Sequence, residues 1–330
     1  MKKTLTIISI IIFTFLTINS IAKAEIKVVA SIKPIHSLAS YVMDGVGKPD
    51  IIVDGYNSPH NFSLKPSHGK MIEKANLIIW VGEDLETFLE KPLKSISKEA
   101  VNVEIMDLKG IKKLKFREKN IFEGHDDHEH GHKEHKEHGH NEHKEHGHEE
   151  KKHDDHGHEK HAHGEHDPHI WLDPLNAKVI LSEMAEHLVE KDPSNASTYK
   201  SNLKKAHKAL DNLTKKIKSD LKGDFKSIVF HDAYQYFEKR FDVNVLGAFT
   251  VNTDVLPGAE QLAEIREIIE HDKITCVFSE PQFNPDIIKA VAKDMKISTG
   301  VIDPLGATLD PGKDLYFDLI RNMYASFKSC

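Results

Sequence analysis

The chain has 330 residues, of which 39% are hydrophobic and 29% charged, and its formal net charge is −7. Residues 125–166 hold 4 Asp and 9 Glu against 6 Lys, which accounts for the whole net charge and leaves the rest neutral. Because the chain outside residues 125–166 is neutral overall, it has no obvious basic surface for the phosphates of nucleic acid, so no nucleic-acid partner is expected.

The first residues are typical of an export signal. Two lysines precede a mostly apolar run over residues 5–16, and the small-residue site Ala-Lys-Ala follows at 22–24. The apolar run is about 12 residues long, short of the roughly 20 that a membrane-spanning helix needs. We therefore predict a signal peptide at residues 1–24, removed before Glu25, rather than a membrane anchor. No cysteine lies near the cleavage site, so the expectation is a periplasmic protein without a lipid.

Short apolar runs with the composition of strands alternate with helical segments in the next part of the chain. These runs cover residues 26–30, 51–53, 77–81 and 101–105. Most are almost continuously apolar, which indicates strands of a parallel sheet that is covered on both faces. Pro34 and Pro66 mark the starts of two helices between them. The alternation predicts an α/β domain with βαβ winding over residues 25–174.

Residues 125–166 form a low-complexity insertion in this domain. They contain 16 of the 24 histidines, interleaved with Glu, Lys, Asp and Gly, and Ala162 is their one hydrophobic residue. Such a segment cannot offset its ordering entropy, so we predict a disordered, exposed insertion. Neutral imidazoles bind borderline metals, and tethering raises the metal concentration nearby. A metal buffer and a scavenger that passes metal to another site are both open as its auxiliary role.

The middle of the chain is predicted to link two domains. A helical stretch covers residues 175–190, and Asp192-Pro193 is typical of an N-cap followed by the first helical position. Apolar residues then recur at spacings of four and three, at Tyr199, Leu203, Ala206, Leu210, Leu213, Ile217 and Leu221. This stripe predicts one long backbone helix of about 29 residues, roughly 43 Å long. We prefer this interpretation to a coiled coil, and assign residues 175–222 to the linking helices.

The last part of the chain repeats the alternation of strand-like runs and helical segments found in the first. Its strand-like runs cover residues 227–230, 243–246, 275–278 and, more weakly, 298–302. They predict a second α/β domain with a parallel-type sheet over residues 223–330. The two cysteines, Cys276 and Cys330, form an even pair in a chain predicted to be exported, so we expect them to form a disulfide.

Four residues outside the insertion lie where strand-like runs end or the second half begins. His60 follows the run at 51–53, His231 follows the run ending at Phe230, and Asp303 follows Ile302. His169 lies between two prolines just before the second half. Ligands of open α/β sheets bind beyond the carboxyl ends of strands, so these residues are expected to line a cleft between the domains. Three imidazoles and one carboxylate are a suitable ligand set for zinc.

The carboxylate of this set has alternatives. Asp303 could instead cap a helix or close a turn, and Glu280, which shortly follows another strand-like run, is a second candidate. Water can also take the fourth position. Among the remaining histidines, His36 is interpreted as an interior structural residue and His187 as part of a solvated helix face.

Four segments together resemble the metal motifs of the ZnuA-like solute-binding proteins of zinc and manganese ABC importers. They are HNFSLKPS at 60–67, DPHIWLDP at 167–174, FHDAY at 230–234 and IDPLG at 302–306. The resemblance extends over essentially the whole mature chain, with the motifs in family order. It implies two domains bridged by a rigid helix, metal held by His60, His169, His231 and Asp303, and a membrane permease as partner.

The third motif of this family separates its metals. Manganese binders of the family typically carry a carboxylate where this chain has His231, and imidazole suits zinc better than manganese. The histidine-rich insertion and the placement of Cys276 and Cys330 also resemble the zinc subgroup. Some zinc binders have an acidic residue just before the first histidine, whereas this chain has Pro59, so Asp303 or water is expected to complete the site.

The sequence therefore predicts a monomeric protein that captures zinc in the periplasm and delivers it to an ABC permease. Zinc would be its transported ligand. A periplasmic zinc buffer or chaperone without a transporter is the alternative of the binding class. A three-histidine zinc hydrolase is the alternative of the enzyme class. Outside the insertion the sequence has no His-Glu-x-x-His run and no nucleophile elbow, so an enzyme is not expected.

Overall fold

The computed structural model describes residues 25–122, 164–223, 225–253 and 255–329. The predicted signal peptide lies outside these ranges, and so does the histidine-rich insertion except for residues 164–166. The disorder predicted for the insertion therefore stays a prediction. Within the described ranges, no helix combines the length and the apolar character needed to cross a membrane.

The first half of the fold is built on a parallel sheet of four strands. They are β1 (Val28–Ile32), β2 (Asp50–Val53), β3 (Leu77–Trp80) and β4 (Val101–Glu104), in the spatial order β2-β1-β3-β4. Every residue of β1 and β3 is buried, as expected for strands covered on both faces. The connecting helices are α1 (Lys33–Val42), α2 (Pro66–Glu73) and α3 (Thr87–Ser95). Pro34 and Pro66 lie in the first turns of α1 and α2, as predicted.

Two helices, α4 (Pro174–Lys191) and α5 (Ala196–Asp220), link this half to the next. The predicted helix of about 29 residues is too long: a short 3₁₀ helix, Pro193–Asn195, precedes the 25 residues of α5. The reason lies in Asp192, whose carboxylate accepts hydrogen bonds from the side chains of Ser194, Asn195 and Tyr199 instead of capping backbone amides. The apolar stripe of α5 is buried as predicted, against α1, α4 and α9 (Leu315–Ser329).

The second half repeats the architecture of the first. Its strands are β5 (Lys226–His231), β6 (Asn244–Thr250), β7 (Cys276–Ser279) and β8 (Ser298–Val301), in the order β6-β5-β7-β8 and all parallel. Helices α6 (Gln235–Phe241), α7 (Ala259–His271) and α8 (Asp286–Met295) lie between them. The predicted α/β fold with two parallel sheets is thus confirmed.

The alternation of side chains along β5 directs its last residue towards the centre of the molecule. Ile228 and Phe230 belong to a small apolar cluster on one face of the second sheet. Val229 belongs to the large apolar core, which contains residues of both sheets and of the linking helices. Because successive side chains of a strand point to opposite faces, His231 shares the face of Val229. The strand pattern therefore directs this imidazole between the two halves.

One connection was not predicted. The segment of residues 113–122 leaves the first half and pairs with β6, where Ile121 bridges Gly247 in antiparallel orientation. The amide of Ala248 donates to the carbonyl of Asn120 at 2.8 Å. A Cβ atom at Gly247 would lie 2.8 Å from that carbonyl oxygen, so glycine permits the close approach. We call residues 113–122 the crossing segment; it lies within the range 25–174 that the sequence pattern assigns to the first domain.

Candidate metal site

Three histidines from three different parts of the fold meet between the halves. His60 lies in the long loop between β2 and α2, His169 directly precedes the short 3₁₀ helix Ile170–Leu172, and His231 is the last residue of β5. One ring nitrogen of each lies within 4.8 Å of the other two. The structure therefore brings together the three histidines that the sequence singles out.

The spacing of these nitrogens suits a tetrahedral metal ion. Nε2 of His169 and Nε2 of His231 are 3.4 Å apart. Two nitrogens that bind zinc at about 2.0–2.1 Å with tetrahedral angles lie about 3.3–3.4 Å from each other. The ring centroid of His60 is 5.5 Å from that of His169 and 5.7 Å from that of His231. The three rings can thus converge on one ion.

A carboxylate orients each of the two buried rings. Oδ1 of Asp167 is 2.8 Å from Nδ1 of His169, and Oε1 of Glu280 is 2.7 Å from Nδ1 of His231. A carboxylate is an acceptor, so each Nδ1 carries the proton and donates it to the carboxylate. The lone pair of each Nε2 then faces the space between the rings, which is the tautomer that a metal requires.

Burial and charge set the protonation of these rings. His169 and His231 are only 4% and 5% exposed. Burial lowers the pKa of His169 well below its usual value, and the charge of His231 lowers it further. Burial also disfavours the charged form of His231, but Glu280, together with the charges of Asp232 and Asp167, outweighs this effect and raises the pKa of that imidazole. His169 is therefore neutral at neutral pH, whereas His231 gives up its proton less readily.

Asp303 lies outside the cluster of the three histidines. Its Oδ1 accepts hydrogen bonds from the side chain of Gln282 and from the amides of Leu305 and Gly306, at 2.9–3.1 Å. It thereby closes the turn after β8, which is the alternative role recognised for it in the sequence. Its Oδ2 is buried and has no hydrogen-bond partner among the described residues. The structure thus groups the three histidines and leaves Asp303 as a predicted fourth ligand.

The structure gives Glu280 an orienting position that the sequence could not assign. The sequence named it as an alternative ligand, whereas its carboxylate contacts Nδ1 of His231, the nitrogen that faces away from the other histidines. Asp167 was part of a recognised motif but had no role assigned. Its spacing of two residues from His169 was the available signal, because its Oδ1 binds both the amide and the ring of that residue.

The other residues considered at the outset lie elsewhere. His36 is buried in α1 with its Nε2 3.0 Å from the carbonyl of Pro49, as expected of an interior histidine. His187 pairs with Glu183 one turn away on α4. Cys276 is buried in β7. Cys330 lies outside the described residues, so its pairing with Cys276 stays a prediction.

Comparisons with known proteins find relatives along almost the whole chain. The family profile described as "ZnuA: Zinc-uptake complex component A periplasmic" matches residues 28–330. The chain is 49% identical over 315 residues to the "High-affinity zinc uptake system protein ZnuA" of Brucella abortus (strain 2308), covering 94% of this chain and 93% of that protein. It is 39% identical to the protein of the same name from Haemophilus influenzae, covering 100% and 99% of the two chains.

Solved structures with low sequence identity share the fold. A structure described as "Crystal structure of ZnuA" superposes with a TM-score of 0.69 at 20% identity, covering 92% of this chain and 99% of that one. The Mn-bound periplasmic metal binding protein from Candidatus Liberibacter asiaticus superposes with a TM-score of 0.67 at 18% identity, over 92% and 99% of the chains. At these identities the likeness concerns the fold alone.

Proposed function

The chain belongs to the ZnuA family of periplasmic zinc-uptake components, and from this we propose that it captures Zn²⁺ in the periplasm through His60, His169 and His231 for import by an ABC permease. The observation that carries the proposal is the convergence of the three histidines, two of which have Nε2 atoms 3.4 Å apart. Zinc is the transported ligand of such a protein.

The surroundings of the histidines support zinc over harder ions. Three imidazoles favour zinc, whereas manganese and magnesium favour oxygen ligands. Neutral imidazoles leave the charge of a dication uncompensated, and the carboxylates of Asp167 and Glu280 directly behind two of the rings offset it. Such carboxylate–histidine pairs also make the ring a better electron donor.

The fourth position of the proposed site belongs to Asp303 or to water. Glu280 is engaged with Nδ1 of His231, so it serves as an orienting group. Oδ2 of Asp303 is buried without a hydrogen-bond partner among the described residues, as is Oε2 of Glu280. We take Oδ2 of Asp303 as the candidate atom, because Glu280 faces the side of His231 that points away from the other rings. Since water can take the fourth position of a zinc site, we expect the contribution of Asp303 to be the smallest of the four.

The small size of the site supports capture of an ion over the hydrolase alternative. The two cavities that border the histidines measure about 10 and 30 Å³, which is room for one or two water molecules. An organic substrate needs a pocket of roughly 300 Å³ or more. Relatives of this chain are likewise described as uptake proteins.

Capture and release are proposed to use the division of the chain into two domains. We assign residues 25–174 to the first, 175–222 to the linking helices and 223–330 to the second, with the metal between the sheets. His60 comes from the first half and His231 from the second, so separation of the halves would dismantle the ligand set and release the ion to the permease.

The periplasmic location of the family supports export through residues 1–24 and a mature chain without lipid. Export also supports the proposed disulfide between Cys276 and Cys330. The intact mass of protein recovered from the periplasm should correspond to a chain that starts at Glu25. Alkylation with and without reductant should then show that both cysteines react only after reduction.

The decisive experiment is a zinc titration of the mature protein in a competing chelator. We expect one tightly bound zinc ion per molecule, with weaker sites in the insertion. Deletion of residues 125–166 should remove the weak sites and leave the tight one. Loss of tight binding with the insertion would contradict the proposed site.

Partnership with a permease needs a test in cells, since a zinc buffer or chaperone would bind zinc equally well. Zinc uptake should fall in cells that lack this protein and return when it is restored. Restoration by a variant with alanine at positions 60, 169 and 231 should fail. Uptake that is independent of the protein would favour the buffer.

A further inference from the structure

One arginine faces two buried carboxyl groups beside the candidate zinc site. Nη1 of Arg117 is 3.2 Å from Oδ1 of Asp232, and its Nη2 is 2.8 Å from Oε2 of Glu238. Asp232 and Glu238 are each 3% exposed. A single guanidinium therefore compensates the charge of both.

Asp232 connects this ion pair to the site. It is the residue after His231 in the chain, and Glu238 lies on α6, which begins four residues after His231. Displacement of the Asp232 carboxylate would therefore shift the backbone that carries His231.

No other described residue supports these two carboxylates. Among the described residues Arg117 is the one hydrogen-bond donor to the carboxylates of Asp232 and Glu238, and the second oxygen of each is buried without a partner. Removal of the guanidinium would leave buried charges uncompensated, which is costly. The carboxylates would then turn towards water, and the backbone next to His231 would move with them.

The position of Arg117 does not itself depend on the histidines. It lies on the crossing segment, which Ile121 and Asn120 attach to β6 by backbone pairing. The amide side chain of Asn120 also donates to two carbonyls of β6, and the guanidinium lies 3.9 Å from the ring centroid of Phe122. Arg117 therefore reaches these carboxylates from a segment that is paired with the edge strand of the second sheet.

We propose that Arg117 is a positioning residue of the zinc site, which holds the carboxylates of Asp232 and Glu238 so that His231 keeps the position that zinc requires. The proposal rests on the function proposed above. Arg117 is not a ligand; it acts through the residue that follows His231 in the chain. Because a planar guanidinium contacts two carboxylates at once, lysine could replace its charge but not both contacts.

The chain contains a matched control. Arg240 lies on α6 and binds Asp173 through two hydrogen bonds of 2.7 and 2.6 Å. Its side chain is 17% exposed, against 18% for Arg117. Asp173 caps α4 and contacts no histidine of the site. Arg240→Gln therefore removes an ion pair of similar burial and better geometry without touching the zinc cluster.

The test compares Arg117→Gln, Arg117→Lys and Arg240→Gln in the full mature chain. The measurements are zinc affinity in a competing chelator, the visible absorption spectrum of the Co²⁺-loaded protein, and the melting temperature. We expect Arg117→Gln to weaken zinc binding about 10- to 100-fold, the usual effect of losing a group behind the ligands, and to alter the Co²⁺ spectrum. Arg117→Lys should recover part of the affinity. Arg240→Gln should lower the melting temperature but leave affinity and spectrum as in the unmodified protein.

Equal zinc affinities for Arg117→Gln and Arg240→Gln, or an unchanged Co²⁺ spectrum in Arg117→Gln, would overturn the proposal. If Arg117→Gln does not fold, Arg117→Lys provides the test. Zinc affinity and a Co²⁺ spectrum equal to those of the unmodified protein in Arg117→Lys would then contradict a positioning role. Failure of the proposed function would look different, since the unmodified protein would then bind no zinc tightly.

Discussion

The two sheets have the same strand order, and each is followed by a buried glutamate after its third strand, yet the two glutamates have different partners. Glu280, after β7, faces Nδ1 of His231 at 2.7 Å. Glu86, after β3, accepts hydrogen bonds from the amides of Val81 and Gly82 at 2.7 and 3.3 Å. The neighbouring strand ends in His231 in the second half and in Ile32 in the first.

This difference shows that the repeated topology does not by itself make a metal site. Both halves place a carboxyl group at the same edge of a sheet, but only in the second half does an imidazole face it. Glu86 accepts from the amides of its own loop, whereas Glu280 accepts from the ring of His231. In the first half, His60 lies in a long loop instead of at a strand end.

The strongest test asks whether both halves contribute ligands. His60→Ala, His169→Ala and His231→Ala should each weaken zinc binding by more than the roughly 100-fold upper effect of groups behind the ligands, because each removes a donor atom. Zinc titration of protein lacking residues 125–166 measures this. His36→Ala and His187→Ala are controls and should leave the affinity unchanged. If His187→Ala were as damaging as His231→Ala, the assignment of the site would be wrong.

Glu86 should affect stability instead of zinc binding. Burial raises its pKa from 4.5 to about 7, partly opposed by hydrogen bonds from the loop. An acid whose pKa is raised on folding stabilises the protein below its unfolded pKa and loses this contribution as the pH rises through the folded pKa. Between pH 5 and pH 8 the native protein should therefore lose roughly 2–3 kcal/mol relative to Glu86→Gln.

Urea unfolding of both proteins across this pH range measures the difference in the free energy of unfolding. Glutamine keeps an oxygen that can accept from the amides of Val81 and Gly82, so the two proteins should be closest in stability at pH 5. A constant difference from pH 5 to pH 8 would show that Glu86 does not titrate in this range.

The protonation of His231 should govern how zinc binding depends on pH. Glu280 raises the pKa of His231 against the effect of burial, and a bound ion requires the neutral ring. Below that pKa, zinc must displace a proton, so affinity should fall by about tenfold per pH unit. His169, whose pKa is lowered, should not contribute to this dependence near neutral pH. Isothermal titration in two buffers of different ionisation enthalpy would count the protons released.

Glu280→Gln should leave the tautomer of His231 unfixed. An amide can present either its oxygen or its NH₂ group to Nδ1 of His231, and the second orientation places the proton on the metal-binding Nε2. We expect about a tenfold loss of zinc affinity. Glu86→Gln is the matched control in the other half and should bind zinc like the unmodified protein. Equal losses of zinc affinity in both variants would show that Glu280 has no special role in orienting His231.

The smallest effect is expected at Asp303. Its turn-closing Oδ1 contributes to the loop after β8, and water can take its place in a tetrahedral zinc site. Asp303→Ala should therefore weaken zinc binding by less than the tenfold or more expected at Glu280. Asp303→Asn keeps the turn and separates coordination from loop structure. A loss at Asp303 equal to that at His60 would make it a full ligand.

Much of the fold could be predicted from short stretches of sequence. The strands are continuous apolar runs, and prolines mark the starts of α1 and α2. The start of α5 was misjudged because Asp192 can bond either backbone amides or side chains, and the pattern Asp-Pro does not distinguish the two. The crossing segment escaped prediction because its residues carry no strand pattern and gain their order from β6.

The sequence by itself determined the two parallel sheets, the linking helices and the three histidines, because apolar periodicity and strand-end position are local properties. Tertiary structure alone decided which distant groups stand behind those histidines. Glu280 meets His231 across 49 residues, and Arg117 meets Asp232 and Glu238 across 115 and 121. Contacts at such separations depend on how strands align and how segments cross between sheets, and no local pattern records that alignment. The three histidines could therefore be predicted from the chain, whereas the distant groups around them could not.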